Sequence, residues 1–328
     1  MHALILGAAG MIGRRLTDAL ALSGRIGEEA LTALTLVDVA APPRPAGFSG
    51  AVRTEAADLT SPGAAEAAIA GRPDVVFHLA AIVSGEAEAD FEKGYRVNLE
   101  ATRLLFEAIR RAHLAEGYRP RVVFTSSLAV FGPPLPPVIG DDMILTPASS
   151  YGAQKAMGEL LLSDYTRRGF LDGIGLRLPT ICVRPGKPNK AASGFFSGII
   201  REPLAGQEAV LPVPDTLRHW FASPRAATGF LVHAAEIDLA PLGLRRNLTM
   251  PGISATVAEE IEALRRVAGD RAVALIRREP DPAVRQIVET WPEAFATERA
   301  LALGFRADPS FDAIVALHVE ETGGRPPA

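Results

Sequence analysis

Residues 3–13 read Ala3-Leu4-Ile5-Leu6-Gly7-Ala8-Ala9-Gly10-Met11-Ile12-Gly13. A short apolar strand, His2 to Leu6, runs into three glycines spaced three apart, and a helix from about Met11 to Leu22 follows. Strand, glycine turn and helix together form the context in which such glycines bind a dinucleotide. Gly7 permits the tight turn, Gly10 lets backbone amides approach a pyrophosphate, and Gly13 lets the helix pack on the strand. At the start of the helix, Met11 and Ile12, unpaired N–H groups and the helix dipole favour negative charge. Asp38 ends a second strand, Leu34 to Val39. A carboxylate there accepts hydrogen bonds from both ribose hydroxyls and repels a 2′-phosphate, so NAD is expected as cofactor. Asp38 lies further from the glycines than the usual spacing of about 20 residues, because Ser23 to Leu31 lengthens the connection. Asp58-Leu59 closes the run Val52 to Ala57. Asp58 reads either as a cap for the adenine edge or as a turn or N-cap aspartate. Leu79-Ala80-Ala81 follows a strand ending in Phe77-His78, and small residues there let a cofactor lie across the sheet edge. His78 reads as a packed or capping histidine.

A second constellation lies in the middle of the chain. Thr125-Ser126-Ser127 ends a strand, and Ser149-Ser150-Tyr151-Gly152-Ala153-Gln154-Lys155 opens a helix. Tyr151 and Lys155 are four apart, so both side chains point the same way. Pro147 and the following serines supply a helix stop and an N-cap. A free phenol, with a pKa near ~10, is a poor base at neutral pH. A neighbouring ammonium and a positive nicotinamide ring stabilise the phenolate. Ser127 can hold a substrate oxygen against Tyr151. The three residues predict removal of a proton from a hydroxyl, with loss of a hydride beside it.

The rest of the chain supplies the scaffold. Asp74 to Ala80 and Arg121 to Ser126 read as strands, Val97 to His113 and Tyr151 to Arg168 as helices, and Gly173 to Val183 as a further strand. Short all-apolar strands alternating with helices predict a doubly wound parallel α/β sheet of the Rossmann type. From Arg184 to Pro224 the chain turns rich in Pro and Gly. A helix from about Arg225 to Ile237 is expected to return to the first domain. Helical patterns follow at Val257–Ala268, Asp281–Glu289, Thr297–Gly304 and Phe311–Glu321. The expected division is 1–180 with 223–247 for the Rossmann domain, and 181–222 with 248–328 for a smaller α/β C-terminal substrate domain. The substrate is expected in the cleft between them. The tail from Gly323 is expected to fray.

Composition bounds the function. The 328 residues are 48% hydrophobic and 22% charged, with a formal net charge of −4, which predicts a packed globule and argues against a nucleic-acid partner. Cys182 is the only cysteine, so no intrachain disulfide is possible and a reducing compartment fits. No secretory leader and no membrane-length apolar run are read, so a soluble cytoplasmic protein is expected. No metal site is expected. Between Arg184 and Arg225 the basic residues Arg184, Lys187, Lys190, Arg201, Arg218 and Arg225 outnumber Glu202, Glu208 and Asp215. A basic stretch in an acidic chain suits a small anionic substrate, or else is a solvated loop. Arg225, beside Trp220 and Ser223, is the expected carboxylate partner because a guanidinium fork suits that group; Arg184 and His219 are next.

The order of these motifs resembles the extended short-chain dehydrogenase/reductase superfamily, the NAD-dependent epimerase/dehydratase group, over almost the whole chain. Within it, Val123 to Pro133, Leu176 to Gly186 and Ala192 to Leu204 resemble the D-erythronate dehydrogenases. The resemblance implies catalytic positions for Ser127, Tyr151 and Lys155. It implies cofactor positions for Gly7, Gly10, Ile12, Asp38, Asp58, Leu79, Asn98, Tyr151, Lys155 and Pro179, and their neighbours Met11, Leu59, Ala80 and Ala81 are expected in the same site. Substrate positions are Ser84, Ser127, Tyr151, Thr180, Asn189, Ser193 and Arg225. The implied reaction is oxidation of a four-carbon sugar acid at C2. Competing readings are a nucleotide-sugar epimerase or dehydratase, a threonine-dehydrogenase-like enzyme, and a dinucleotide-sensing regulator. A homodimer is expected from the apolar Leu104, Leu105, Ile109, Leu160 and Leu161, which exceed what one sheet face needs.

Overall fold

A computed structural model of the protein describes residues 1–186 and 193–323. The chain divides into two compact units: residues 1–130, 149–177 and 228–249 form the first, and 131–148, 178–227 and 250–328 the second. The sequence pattern places 131–148 with the first unit. Ile139, however, pairs with Phe295, and Phe131 packs its ring 5.6 Å from that of Phe295.

The first unit is built on seven strands: β1 His2–Leu6, β2 Ala33–Asp38, β3 Ala51–Ala56, β4 Val75–His78, β5 Arg121–Ser127, β6 Asp172–Leu178 and β7 Asn247–Thr249. Their spatial order is β7-β6-β5-β4-β1-β2-β3, and the sheet is parallel. The interior strands bury nearly every residue because helices cover both faces. Helix α1, Met11–Ser23, follows the glycine turn. The long connection before Asp38 contains a small hairpin, Arg25–Ile26 with Glu29–Ala30, turned at Gly27 with φ 57°. Helix α2, Ala101–Glu116, packs Leu105, Phe106 and Ile109 onto the sheet. Helix α3, Ser150–Arg167, is capped by Ser149, whose hydroxyl accepts from Gly152 N at 3.1 Å.

Two glycines bind this unit together at the strand ends. Gly7, at φ 88°, approaches the Leu79–Ala80 backbone so closely that a Cβ would sit 2.8 Å from Ala80 N. A Cβ on Gly13 would lie 2.1 Å from Gly7 O. No side chain fits at either position.

The second unit holds a three-stranded sheet in which Arg218–Ala222 lies between Thr180–Ile181 and Ile253–Thr256. Its core gathers Phe196, Ile199, Ile200, Phe221, Leu264, Phe311 and Ile314 from that sheet and the helices Gly194–Leu204, Val257–Val273 and Phe311–Thr322. The strand expected to run unbroken to Val183 divides at Pro179, which has no N–H for a ladder. The stretch read only as Pro- and Gly-rich contains a helix, Gly194–Leu204. Gly194, Gly198 and Pro203 conceal it by propensity, while Phe196, Ile199, Ile200 and Leu204 give the helical apolar spacing.

Candidate active site

The glycine turn is braced from β2. Gly7 N donates to Val37 O at 2.9 Å. Ala9 N donates to Asp38 Oδ2 at 2.9 Å and Val39 N to Asp38 Oδ1 at 2.7 Å. Asp38 is thus half-buried, its carboxylate turned toward the glycine turn. Gly10 is different from its two neighbours. It is exposed, and a Cβ there would meet only Gly7 O, at 3.3 Å. The fold does not itself crowd Gly10, and the bare backbone beside it leaves the α1 N-terminus open to a ligand. An open helix N-terminus flanked by a strand-end carboxylate fits the pyrophosphate and ribose of a dinucleotide. Met11 and Ile12, half-buried, begin that helix. Arg14 Nε donates to Ala9 O at 2.8 Å, tying a cation to the turn itself.

Asp58 is exposed, and its Oδ1 accepts from both Thr60 N at 2.9 Å and Thr60 Oγ1 at 2.7 Å. The backbone bond from Thr60, with the hydroxyl bond and the charge of Arg96, holds its carboxyl below the usual range. Leu59 beside it is buried in the core. Leu79 and Ala80 are half-buried against the glycine turn, and Ala81 is exposed.

Asn98 extends the site toward α3. It is buried in a π-helical turn, Tyr95–Glu100, a form frequent at functional sites. Its Oδ1 accepts from Ile82 N at 2.8 Å, and its Nδ2 donates to Gln154 Oε1 at 2.8 Å. Gln154 is fully buried and next to Lys155 in sequence, so this chain of bonds fixes the loop after β4 to the helix that carries Tyr151. Ser84, half-buried, starts a short helix two residues beyond Ile82. Sequence alone does not single out Gln154, a long amide between Tyr151 and Lys155.

Lys155 is buried, and its Nζ donates to Thr125 O at 2.9 Å. The same Nζ lies 5.7 Å from the centre of the Tyr151 ring and 5.1 Å from that of Phe124. Burial pushes the lysine down to about 8, against the opposing charge of Glu159. Ser127, on the same strand end, is half-buried, and its Oγ accepts from Ala129 N at 3.2 Å. Ser127, Tyr151 and Lys155 thus come from one strand end and one helix, with the phenol and ammonium on a single face.

His78 is buried against this group. Thr102 Oγ1 donates to Asn98 O at 2.9 Å, so at 2.8 Å it accepts from His78 Nε2. The ring is therefore the neutral Nε2–H tautomer. Burial first, and the Lys155 charge second, push it down to about 3.

In the second unit, Pro179 is buried, and Thr180 Oγ1 lies 2.6 Å from His219 Nε2. His219 Nδ1 is 3.1 Å from Pro292 O, which can only accept, so Nδ1 carries the proton and Nε2 accepts from Thr180. Burial pushes His219 down to about 3, and its ring stacks on Phe196 at 5.3 Å. Thr180 keeps its acceptor lone pairs for another hydroxyl. Ser193 is buried and its Oγ accepts from Arg184 Nη2 at 2.8 Å. Arg225 is exposed and ion-paired with Glu320 at 3.0 Å. Asn189 lies outside the described residues.

Comparison with known proteins gives a consistent result. The model of the NAD dependent epimerase/dehydratase family matches residues 3–238. The chain is 52% identical to D-erythronate dehydrogenase of Cupriavidus necator, over 98% of this chain and 99% of that protein. It is 41% identical to D-erythronate dehydrogenase of Haemophilus influenzae over 98% and 99% of the two. A crystal structure described as the nucleoside-diphosphate-sugar epimerase from Agrobacterium tumefaciens superposes with a TM-score of 0.97 at 62% identity, over 100% of this chain and 96% of that one.

The state of His78 is directly checkable. A histidine near 6.5 when unfolded and about 3 when folded takes up its proton only on unfolding between those values. Its contribution to stability is whole above pH 6.5 and is lost as pH falls toward 3. Nitrogen NMR should show the Nε2–H tautomer with no titration between pH 5 and 8. A His78 signal that titrates near 6.5 contradicts the buried neutral ring.

Proposed function

The chain belongs to the NAD-dependent epimerase/dehydratase family, and from that premise we propose that it oxidises D-erythronate at C2 to the 2-oxo acid, releasing NADH. Three facts support the reading: the full-length similarity to two D-erythronate dehydrogenases, the Tyr151–Lys155 face, and the open α1 N-terminus. The residues holding NAD are the Gly7–Ile12 turn for the pyrophosphate and Asp38 for the ribose diol. Asn98, Tyr151, Lys155 and the Leu79–Ala81 segment complete that site, with Asp58–Leu59 at the adenine side; Pro179 is a further candidate. NAD, when bound, accepts the hydride. Tyr151 takes the hydroxyl proton, Lys155 stabilises the phenolate, and Ser127 donates to the substrate oxygen. Ser84, Thr180 and Ser193 are the candidates for the substrate hydroxyls.

A panel of four-carbon sugar acids with NAD, followed at the NADH absorbance, tests the reaction. D-Erythronate should be turned over, with NAD preferred over NADP because Asp38 repels a 2′-phosphate. Tyr151→Phe should lose about 10²–10⁴-fold in kcat while NAD affinity stays close to wild type. The 62% identity to a structure described as a sugar-nucleotide epimerase gives the competing reading. Interconversion of a nucleotide sugar without NADH release would establish that activity and end the dehydrogenase proposal.

For the substrate carboxylate, the geometry favours Arg184 over Arg225. Arg225 spends its guanidinium on an exposed pair with Glu320. Arg184 is half-buried, oriented by Ile181 O and Ser193 Oγ, and close enough to His219 to bias its titration. Arg184→Leu should cost about 1.5–3 kcal/mol in kcat/KM for sugar acids, with NAD binding unchanged. Arg225→Leu should leave kcat/KM within a few-fold of wild type. The reverse pattern returns the carboxylate to Arg225.

The proposal includes a homodimer through the outer faces of α2 and α3. Leu105 and Ile109 cannot take part, since both are fully buried in the unit's own core. Leu160 is 69% exposed, and Leu104 and Leu161 are half-buried on the same helices. Light scattering should give twice the chain mass; a monomer at micromolar protein contradicts it.

A further inference from the structure

Glu159 lies one turn beyond Lys155 on α3 and is buried. Its carboxylate is bound on both oxygens. Oε1 accepts from Ser126 Oγ at 2.5 Å and Arg177 Nε at 2.9 Å; Oε2 accepts from Arg177 Nη2 at 2.7 Å. Two successive residues of β5 therefore grip two successive turns of α3, Thr125 O holding Lys155 and Ser126 Oγ holding Glu159. A buried arginine–carboxylate pair is a weak stabiliser compared with apolar residues of like volume. Its contribution to the fold does not account for placing a second charge under the lysine.

We propose that Glu159 is a positioning residue for the oxidation: held by Arg177 and Ser126, its carboxylate sustains the buried Lys155 ammonium on which Tyr151 depends. The inference rests on Tyr151 acting as the base. Among the described residues the charged and titratable groups around Lys155 are few. Tyr151 and Glu159 come from its own helix, and His78 on β4 is neutral through burial. Arg177 on β6 is engaged with Glu159. Burial drives the lysine toward its neutral form, and Glu159 is the charge that opposes it. Removing that negative charge favours proton loss from the coupled Tyr151–Lys155 pair at both of its steps. Both limbs of the pH profile should therefore move to lower pH, where a loss of packing alone would reduce the rate without moving them.

The test is kcat/KM against pH with NAD and D-erythronate, for wild type, Glu159→Gln and Glu159→Asp. Glu159→Gln should shift both limbs acid by about one pH unit. Glu159→Asp, which keeps the charge, should leave them in place even where the rate falls. Limbs that stay put in a folded Glu159→Gln, or that move equally in both variants, overturn the inference. If circular dichroism shows Glu159→Gln unfolded, the smaller Glu159→Ser, which also removes the negative charge but leaves room for water beside Arg177, carries the test. Its limbs must still move acid, and unmoved limbs are equally fatal. Tyr151→Phe separates the two readings. A Phe variant that still turns over refutes the base assignment, whereas a dead Phe variant with unmoved Glu159→Gln limbs refutes only the role of Glu159.

Discussion

A lysine ammonium held out of water beside a phenol is the constraint on which the catalytic unit depends. Lys155 is 2% exposed, and the interior disfavours its charge. Three features offset that cost: the Thr125 carbonyl, the face of the Phe124 ring, and the carboxylate one turn further along the helix. Each comes from an element whose position the parallel sheet fixes. Were β5 displaced by a residue, the carbonyl that accepts from Lys155 and the hydroxyl that donates to Glu159 would both be lost, since a one-residue slip turns every side chain to the other face.

The cofactor end of the unit obeys the same logic of close approach. Gly7 touches the backbone after β4, and Asp38 at the end of β2 receives an amide of the turn. Ile82, Asn98 and Gln154 then carry the hydrogen-bond chain across to α3. The strand ends thus form one connected rim from Asp38 to Tyr151. A rim of this kind satisfies backbone groups that irregular loops would otherwise leave buried and unpaired.

Much of this was legible in the sequence because the features are local. The glycine spacing, the Tyr151–Lys155 interval and the apolar strands each sit within one element, and α1, α3 and the C-terminal helices lie close to where the pattern places them. The features that escaped depend on partners remote in sequence. Gln154 acquires meaning only through Asn98, and Glu159 only through Arg177 and Ser126, though its position four after Lys155 placed it on the same face. Nothing local distinguishes Leu105 and Ile109, which face the core, from the exposed Leu160. Arg225 looked suited to an anion by type, but Glu320, 95 positions away, occupies it. The helix Gly194–Leu204 was hidden by its glycines and proline, whose propensity cost the packing of Phe196 and Ile199 overcomes.

The central claim is that a buried ammonium makes Tyr151 acidic enough to serve as a base. The most direct measurement is the ultraviolet difference spectrum between wild type and Tyr151→Phe, each with NAD bound, taken across pH. The account predicts a phenolate signal from Tyr151 that rises well below the ~10 of a free tyrosine. A phenol that ionises at 10 or above contradicts it.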